Sequence, residues 1–381
     1  MNLITQMVDL KGQYQRLQSE IDAAVSATIS STRYIGGPEV TGFATALEDY
    51  LGVKHVIPCA NGTDALQIAM MAFDLEPGDE VIVPAFTYVA TAEVIALLRL
   101  TPVMVDVDPK TFNVDVEAIE KAITPKTKAI VPVHLFGQSA DMEPIMQIAE
   151  AHSLFVIEDA AQSVGSKYTF NNGQQRTTGT IGHIGTTSFF PSKNLGCYGD
   201  GGAIYTNDDQ LAAKIKMVAN HGQSKRYYHD IIGVNSRLDA IQAAVLNVKL
   251  KYLDEFTTAR QAVAKGYDDA FAEIENITTP FRASNADHVF HQYTMIVDSE
   301  RRDELKSYLA DNGVPAMIYY PVPLYKQKAF SEFYNSDKNL AVTEKLCQSV
   351  ISLPIHTEFT PKIHDYITEQ VTGFYQPALK S

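Results

Sequence analysis

The sequence has no tryptophan, only three cysteines in 381 residues and no long uninterrupted apolar run. The odd number and irregular spacing of Cys59, Cys197 and Cys347 fit a reducing cytosol better than a disulfide framework. The most apolar long window, residues 81–105, is broken by two prolines and two charged residues. It falls short of the roughly 18 apolar residues that a membrane span needs. The N-terminal residues also lack the pattern of a signal peptide, so we expect a cytoplasmic protein without a membrane partner.

The chain has a formal net charge of −14, which disfavours nucleic acid and anionic lipid as partners. Any anionic ligand must therefore be met by a local group of donors or cations. The composition is that of an ordinary globular protein, and 381 residues exceed what one hydrophobic core usually organises. We therefore expect a large domain and a smaller one.

Over the first 220 residues, short β-branched segments alternate with segments that carry apolar residues at helical spacing. The predicted strands are His55–Cys59, Glu80–Pro84, Pro102–Asp106, Lys128–Val133, Leu154–Glu158, Thr186–Phe190 and Ala203–Thr206. The predicted helices between them are Ala65–Phe73, Thr91–Leu98, Val116–Ile123, Pro144–Ala151 and Leu211–Val218. This alternation predicts an α/β fold with a mostly parallel seven-stranded sheet flanked by helices. Ligands of such sheets bind beyond the carboxyl ends of the strands.

After Asn220 the pattern changes. A long helix is predicted from about Leu238 to Arg260, followed by a strand near Gln292–Val297 and a helix near Arg301–Asn312. We predict a large domain over residues 1–250, with an N-terminal helix, and a smaller C-terminal α+β domain over residues 251–381.

The first strand is followed by a turn of small residues, Asn61–Leu66, that opens a helix. Free backbone N–H groups and the positive end of the helix dipole meet there, which suits a phosphate group. Ser188, five residues before Lys193, is a second candidate for the phosphate. A simple Asn, Thr or Asp helix cap explains the same turn equally well.

An aromatic residue, Tyr88, follows the second strand, and its ring could stack on a flat cofactor. Aromatic residues at the rim of a sheet more often contribute to packing.

Asp159 and Gln162 follow the fifth strand. A buried carboxylate there would keep the ring nitrogen of pyridoxal phosphate protonated, and Gln162 could donate to the ring hydroxyl. The alternatives are that Asp159 caps a helix, or that Glu158 and Asp159 bind a metal. We expect no metal, because no further ligand has suitable spacing.

Lys193 lies between the aromatic pair Phe189–Phe190 and a glycine-dense turn at residues 196–202. An amine held where a strand leaves the core is partly desolvated, and the glycines let the backbone approach a bound group, as a Schiff-base lysine requires. A lysine taken by itself is more often a surface residue. The combination of a phosphate turn, a stacking ring, a carboxylate and a lysine favours a pyridoxal phosphate site. A Rossmann oxidoreductase is disfavoured, because the chain has no Gly-x-Gly-x-x-Gly motif.

Nearly the whole chain resembles the DegT-type nucleotide-sugar aminotransferases, which are fold type I enzymes that depend on pyridoxal phosphate. The matching motifs are Asn61–Leu66, Pro84–Thr91, Glu158–Ser163, Ser188–Lys193, Asp200–Ala203, His221–Gly222, Gly233–Asp239, Gln242–Ala244 and Tyr320–Leu324.

The resemblance implies a role for each matched residue. Lys193 is implied as the aldimine lysine and Asp159 as the partner of the pyridine nitrogen. Gln162 is implied at the ring hydroxyl and Tyr88 stacked on the ring. The residues implied at the phosphate are Gly62, Thr63 and Ser188.

The resemblance also implies a homodimer with shared active sites. In that arrangement Asn235 reaches the phosphate of the neighbouring subunit's cofactor, and Arg237 lines the same site. Without the resemblance, both residues would be interpreted as part of a solvated turn. Tyr320 is predicted at the rim near the substrate. Cationic candidates for the anionic groups of a sugar are Arg33, His221, Lys225, Arg226, His229, Arg237 and His291, of which we select Arg237.

The motifs look most like those of family members that move an amino group from glutamate to the 3-keto carbon of a nucleotide-linked sugar. The greatest likeness is to enzymes that act on UDP-2-acetamido-2-deoxy-3-oxo-glucuronic acid in the synthesis of bacterial surface polysaccharide. A dTDP-3-keto-6-deoxyhexose and a UDP-4-keto sugar remain alternative substrates. A regulatory protein that binds pyridoxal phosphate without turnover is the alternative from another class.

Overall fold

The computed structural model describes residues 5–333 and 340–375. The α-helices of this part of the chain are α1 (Leu10–Ser31), α2 (Pro38–Leu51), α3 (Gly62–Ala72), α4 (Ala90–Leu97), α5 (Val116–Ala122), α6 (Met142–Ala151), α7 (Asp209–Ala219), α8 (Ala240–Leu250), α9 (Leu253–Phe271), α10 (Arg302–Asp311), α11 (Ala341–Ser349) and α12 (Pro361–Tyr375). The strands are β1 (His55–Cys59), β2 (Glu80–Pro84), β3 (Thr101–Val105), β4 (Thr127–Ile130), β5 (Phe155–Asp159), β6 (Lys167–Thr169), β7 (Gln175–Thr177), β8 (Ile184–Ser188), β9 (Gly202–Thr206), β10 (Gln223–Lys225), β11 (Tyr228–His229), β12 (Ile277–Thr278), β13 (Tyr293–Val297) and β14 (Val350–Leu353).

The central sheet has seven strands in the order β1-β9-β8-β5-β4-β2-β3. The pairs from β8 through β5, β4 and β2 to β3 are parallel, whereas β9 runs antiparallel to both β1 and β8. The predicted mostly parallel seven-stranded sheet is thus confirmed. The carboxyl ends of β2, β5 and β8 lie on one edge of the sheet, where Tyr88, Asp159 and Ser188 follow or end their strands.

The central strands are short and apolar because helices cover both faces of the sheet. In β2 the residues from Val81 to Pro84 are all buried, and in β9 all five residues are buried. Helices α3, α4 and α7 pack on one face, and α5 and α6 pack on the other. The sheet therefore forms a rigid base, and its strand ends have little freedom to move.

The predicted helix from Leu238 to Arg260 is wrong in one respect, because α8 ends at Leu250 and α9 begins at Leu253. The backbone N–H of Tyr252 donates to Lys249 O at 3.0 Å, a tighter turn than an α-helix makes. On either side of this break the partners change: α8 packs on α1 and α2, whereas α9 packs on α12. No glycine or proline marks the break, so the apolar spacing looks continuous in sequence.

The C-terminal part of the chain has its own three-stranded antiparallel sheet, β12-β13-β14. Helices α9, α10 and α12 pack around it and form a separate cluster of buried apolar residues. The division of the chain at residues 250 and 251 stays a prediction. None of the described helices combines the length and the apolar character that crossing a lipid bilayer requires.

Candidate active site

An open cavity of about 920 Å³ lies at the carboxyl ends of the central strands. It brings together eight of the ten residues that the sequence analysis selected, namely Gly62, Thr63, Tyr88, Asp159, Gln162, Ser188, Lys193 and Tyr320. Gly62 and Tyr320, which are 258 positions apart in sequence (320 − 62), thus line the same cavity. This agrees with the general rule that ligands of such sheets bind beyond the strand ends.

The turn after β1 has the geometry of an anion site. The side chain of Asn61 caps α3 by accepting a hydrogen bond from the Asp64 N–H at 2.8 Å. The first residues of α3, Gly62 and Thr63, line the cavity, so their N–H groups lie at the positive end of the helix dipole. A Cβ atom on Gly62 would lie 2.7 Å from the Cβ of Ser188, so only glycine fits this close approach. The cap and the phosphate interpretations are therefore compatible.

Asp159 ends β5, and its carboxylate is held from two sides. The Thr91 hydroxyl donates to Asp159 Oδ2 at 2.8 Å, and the Ala161 N–H donates to Oδ1 at 3.2 Å. The side chain is only 6% exposed, and it lines the cavity. A carboxylate fixed in this way can stabilise a positive charge within the cavity. The contact with Thr91 could not be predicted from the sequence, because nothing in the pattern of α4 distinguishes this small buried residue from its neighbours.

The neighbouring carboxylate, Glu158, is turned away from the cavity and fully buried. It accepts hydrogen bonds from His134 Nε2 at 2.9 Å and from the N–H groups of Gly179, Ile181 and Gly182. Burial opposes ionisation, but these hydrogen bonds together hold the pKa of Glu158 below its ordinary value. Across residues 5–333 and 340–375, no group of three or more His, Cys, Asp or Glu side chains is arranged to bind a metal. Glu158 and Asp159 thus serve different sites.

Lys193 reaches the cavity from the loop after β8. Burial lowers the pKa of its amine to about 8, although the nearby Asp159 carboxylate favours the charged form. Within the described part of the chain, no hydrogen bond or ion pair holds this amine. The loop itself is tied down, because the Lys193 N–H donates to Phe190 O at 2.8 Å. An accessible amine with a lowered pKa, on a fixed backbone, is suited to act as a nucleophile and as a base.

Gln162 is held between the cavity wall and a tyrosine. Its Oε1 accepts from the Phe136 N–H at 2.8 Å, and its Nε2 donates to the Tyr320 hydroxyl at 3.3 Å. Burial raises the pKa of Tyr320 above its ordinary value, so this hydroxyl stays protonated. Tyr88 lies across the cavity mouth, 57% exposed, with its ring centroid 6.3 Å from that of Tyr320. Both aromatic residues are available to a flat ligand.

Two selected residues, Asn235 and Arg237, lie outside the cavity of their own chain. Both are exposed; Arg237 donates to Asn220 Oδ1 at 3.4 Å, and Asn235 forms an isolated bridge with Asn220. The structure therefore does not bring them to Lys193 within one chain.

His291 also lines the cavity, and it is only 5% exposed. From the sequence, His291 is either an ordinary surface or core residue or one of several candidate cations for an anionic sugar. Burial, followed by the charges of Lys193 and Arg260, lowers the pKa of His291 well below its ordinary value, which favours the neutral imidazole. Its place in the cavity could not be predicted, because it lies just before β13, outside the central sheet whose strand ends mark the other residues.

The residues around this cavity fit pyridoxal phosphate. The N-terminus of α3 and the close contact of Gly62 with Ser188 leave room and N–H donors for a phosphate. The fixed carboxylate of Asp159 suits a pyridine nitrogen, and the free amine of Lys193 suits an aldehyde.

Comparison with known proteins gives a consistent picture. The DegT/DnrJ/EryC1/StrS aminotransferase family matches residues 15–372. The UDP-2-acetamido-2-deoxy-3-oxo-D-glucuronate aminotransferase of Pseudomonas aeruginosa is 48% identical over 351 residues, which cover 92% of this chain and 95% of that protein. The pleiotropic regulatory protein of Geobacillus stearothermophilus is 45% identical over 372 residues, which cover 97% of this chain and 98% of that protein.

The fold is similar to that of a solved structure with a bound cofactor. NtdA from Bacillus subtilis with bound cofactor PMP has a TM-score of 0.87 and 34% sequence identity. The alignment covers 94% of this chain and 82% of that chain. The similarity therefore extends over both the sheet and the C-terminal part.

Proposed function

This chain belongs to the DegT/DnrJ/EryC1/StrS aminotransferase family, and we propose that it moves an amino group from L-glutamate to the 3-keto carbon of a nucleotide-linked sugar. The observation that carries this proposal is the unpartnered amine of Lys193, which shares one cavity with the fixed carboxylate of Asp159. Lysine and carboxylate on one wall are the two groups that an aminotransferase needs beside its cofactor.

Pyridoxal phosphate is the cofactor, and the chain's own residues account for its binding. When bound, it supplies an aldehyde that takes up amino groups and a pyridine ring that accepts electron density from the neighbouring carbon. Gly62, Thr63 and Ser188 would hold its phosphate, and Tyr88 would cover its ring. Asp159 would keep the ring nitrogen protonated, held in place by the Thr91 hydroxyl.

Lys193 moves the proton in each half of the reaction. With a pKa of about 8, roughly a tenth of this amine is neutral at pH 7, far more than of an ordinary lysine, and this neutral form can take a proton from the α-carbon of glutamate. Lys193 Nζ then returns a proton to the sugar carbon in the second half. The two substrates use one site in turn, so the kinetics are ping-pong, with 2-oxoglutarate released before the sugar binds.

We propose UDP-2-acetamido-2-deoxy-3-oxo-D-glucuronic acid as the sugar, because a relative with this activity is 48% identical over nearly the whole chain. A cavity of about 920 Å³ accommodates the sugar ring beside the cofactor. An assay of 3-keto against 4-keto UDP-sugars, with a dTDP-3-keto-6-deoxyhexose in parallel, tests this choice. We expect the 3-keto uronic acid to give the highest kcat/KM, and faster turnover of either alternative would replace it as the substrate.

A binding protein without turnover is the second candidate, because a relative of 45% identity is a regulatory protein. A single half-reaction separates the two. Excess L-glutamate is added to the purified protein with its cofactor, and absorbance and released 2-oxoglutarate are followed together. We expect the absorbance to change with one equivalent of 2-oxoglutarate per site, whereas a static spectrum would favour the regulatory function.

We also propose that two copies of the chain form composite active sites, with Asn235 and Arg237 of each copy completing the cavity of the other. Both residues are exposed and neither lines the cavity of its own chain, which supports this arrangement. A two-fold axis would place the same loop in both sites.

We also propose a cytoplasmic location. The three cysteines are buried and have free thiols, which fits a reducing compartment.

Mixing two inactive variants tests the composite site. Lys193→Ala and Asn235→Ala are each expected to have little activity as pure proteins. After subunit exchange, half of the dimers are mixed, and each mixed dimer has one intact site, so about a quarter of wild-type activity should return. If no activity returns although mixed dimers are detected by mass, each chain has a self-contained site and the proposal fails.

A further inference from the structure

His291 has an environment that the proposed function does not yet explain. It lies in the cavity wall with Lys193, just before β13, and it is 5% exposed. Asn194, the residue after the reactive lysine, donates from Nδ2 to Val289 O at 3.0 Å. The loop that carries Lys193 is thus bound directly to the segment that carries His291.

The main chain on either side of His291 is fixed. Buried Arg260 donates from Nη1 to Phe290 O, His291 O and Ile355 O, at 3.2, 3.4 and 3.0 Å. Phe290 has a φ of +47°, a left-handed conformation that is unfavourable for an aromatic residue. A Cβ atom on Gly137 would lie 2.9 Å from the His291 N, so the opposite backbone packs tightly against it. The backbone that carries the imidazole is therefore fixed next to the cavity.

The two ring nitrogens of His291 differ. Nδ1 is sealed from solvent and has no hydrogen-bond partner. Nε2 is not sealed, and within the described residues it has no partner either, so it opens to the cavity. A neutral imidazole carries one N–H, and an unpaired buried N–H is rarer in proteins than an unpaired acceptor. We assign the hydrogen to Nε2, which makes His291 a donor into the cavity.

The cavity has few cationic groups for a substrate carboxylate. Among the described residues that line the cavity of one chain, Lys193 is the only lysine or arginine, and its amine is needed for proton transfer. In the proposed dimer, Arg237 of the partner subunit would be the additional cation, and it is assigned to the anionic groups of the sugar. The α-carboxylate of glutamate is bonded to the carbon from which Lys193 takes the proton, so it lies close to Lys193. The carboxylate of a uronic acid, by contrast, is attached to the ring carbon C5, which is two bonds from the 3-keto carbon, so the carboxylate is farther from the reacting carbon than that of glutamate. A hydrogen-bond donor beside Lys193 is therefore better placed for the α-carboxylate of glutamate than for the carboxylate of the sugar.

We propose that His291 binds the amino donor, with Nε2–H donating to the α-carboxylate of glutamate. This inference depends on the proposed aminotransferase function and adds a substrate-binding residue to it. It assigns His291 to the first half of the reaction and not to the sugar half.

The test compares His291→Leu with His291→Gln and His291→Asn in the holoenzyme. Leucine removes the donor, glutamine offers an amide near the position of Nε2, and asparagine reaches only the position of Nδ1. Because ping-pong kinetics separate the halves, kcat/KM for each substrate reports its own half. For leucine and asparagine we expect kcat/KM for L-glutamate to fall about tenfold or more, with recovery in the glutamine variant. The kcat/KM for the sugar should change less than about threefold.

The glutamate half-reaction alone gives a second measurement. The concentration of L-glutamate at half-maximal rate should rise, while the limiting rate stays near that of the wild type. His288→Asn is the matched control, because His288 lies on the same segment outside the cavity and uses Nδ1 only to accept from the Phe290 N–H at 3.1 Å. Asparagine retains that acceptor, and both kcat/KM values should stay unchanged.

Equal losses in both halves, or unchanged kcat/KM for glutamate in the leucine and asparagine variants, would overturn the inference. If leucine prevents folding, the contrast between glutamine and asparagine still decides the question. Failure of the wild-type protein to react with glutamate would instead refute the proposed function. The two failures are therefore distinguishable.

Discussion

Two lysines in different regions of the molecule share one property and differ in another. Burial lowers the pKa of both Lys193 and Lys249 to about 8. Lys249, on α8, is 1% exposed and donates from Nζ to Gly196 O at 2.8 Å, with the Tyr198 ring centroid 4.5 Å away. Lys193 lines the cavity, and its amine has no hydrogen-bond or ion-pair partner among the residues that the structure describes.

A lowered pKa therefore does not by itself identify a reactive amine. The amine of Lys249 is buried and out of reach of ligands, and it donates a hydrogen bond to the Gly196 carbonyl oxygen. Lys193 has the same tendency to lose its proton, but it also has access to ligands and a carboxylate on the same wall. Reactivity therefore follows from access and from the absence of a competing hydrogen bond.

The largest effect is expected from Lys193→Ala. Turnover should fall about 10³-fold or more, because proton transfer loses its base, and the visible absorbance of the bound cofactor should disappear with it. Absorbance spectra and steady-state rates measure both. Near-normal turnover in this variant would remove the basis of the comparison.

Asp159→Asn should have the second largest effect. The neutral amide no longer favours a protonated ring nitrogen, so activity should fall roughly 10²-fold while phosphate contacts still retain the cofactor. Rates are compared with cofactor content per chain. A fully active variant would contradict the choice of pyridoxal phosphate.

Lys249→Met should have a smaller effect of another kind. The buried Gly196 carbonyl loses its donor, so the free energy of unfolding should fall by about 1–2 kcal/mol. The cofactor absorbance should be retained, and activity should stay within about threefold of wild type. Chemical denaturation and absorbance spectra check these outcomes. Loss of the cofactor spectrum in this variant would mean that Lys249 is the reactive lysine.

The smallest effect is a dependence on pH. Burial lowers the pKa of Lys249 from 10.5 to about 8 in the folded state. Between pH 8 and 10 the unfolded chain therefore binds more protons, and this lysine makes the wild type more stable as pH rises. The stability difference between wild type and Lys249→Met should grow by roughly 1 kcal/mol per pH unit at most in this window. A difference that stays constant would show that Lys249 titrates at its ordinary value.

Much of the fold follows from local pattern. Strands β1 and β2 have the predicted bounds, because short β-branched runs end at turns of small residues or proline. The other central strands are shifted by one to three residues at an end. The antiparallel direction of β9 and the break between α8 and α9 could not be predicted, because long-range pairing and packing determine them and no turn residue marks them.

The residues of the site also fall into two groups, those that the strand positions predict and those that depend on long-range contacts. Asp159, Ser188 and the Gly62 turn follow strand ends, so the position of the strands predicts where they meet. His291 and Thr91 act through contacts between distant segments, which a single sequence does not reveal. The roles of Asn235 and Arg237 stay predictions, because they depend on a second copy of the chain.

The most direct test of the account is the position of the covalent link to the cofactor. The protein with its cofactor is reduced with borohydride and digested, and the peptides are identified by mass spectrometry. We expect the added mass on the peptide that contains Lys193, with the Lys249 peptide unmodified. An adduct on Lys249, or no adduct on Lys193 in protein that binds the cofactor, would contradict the central claim.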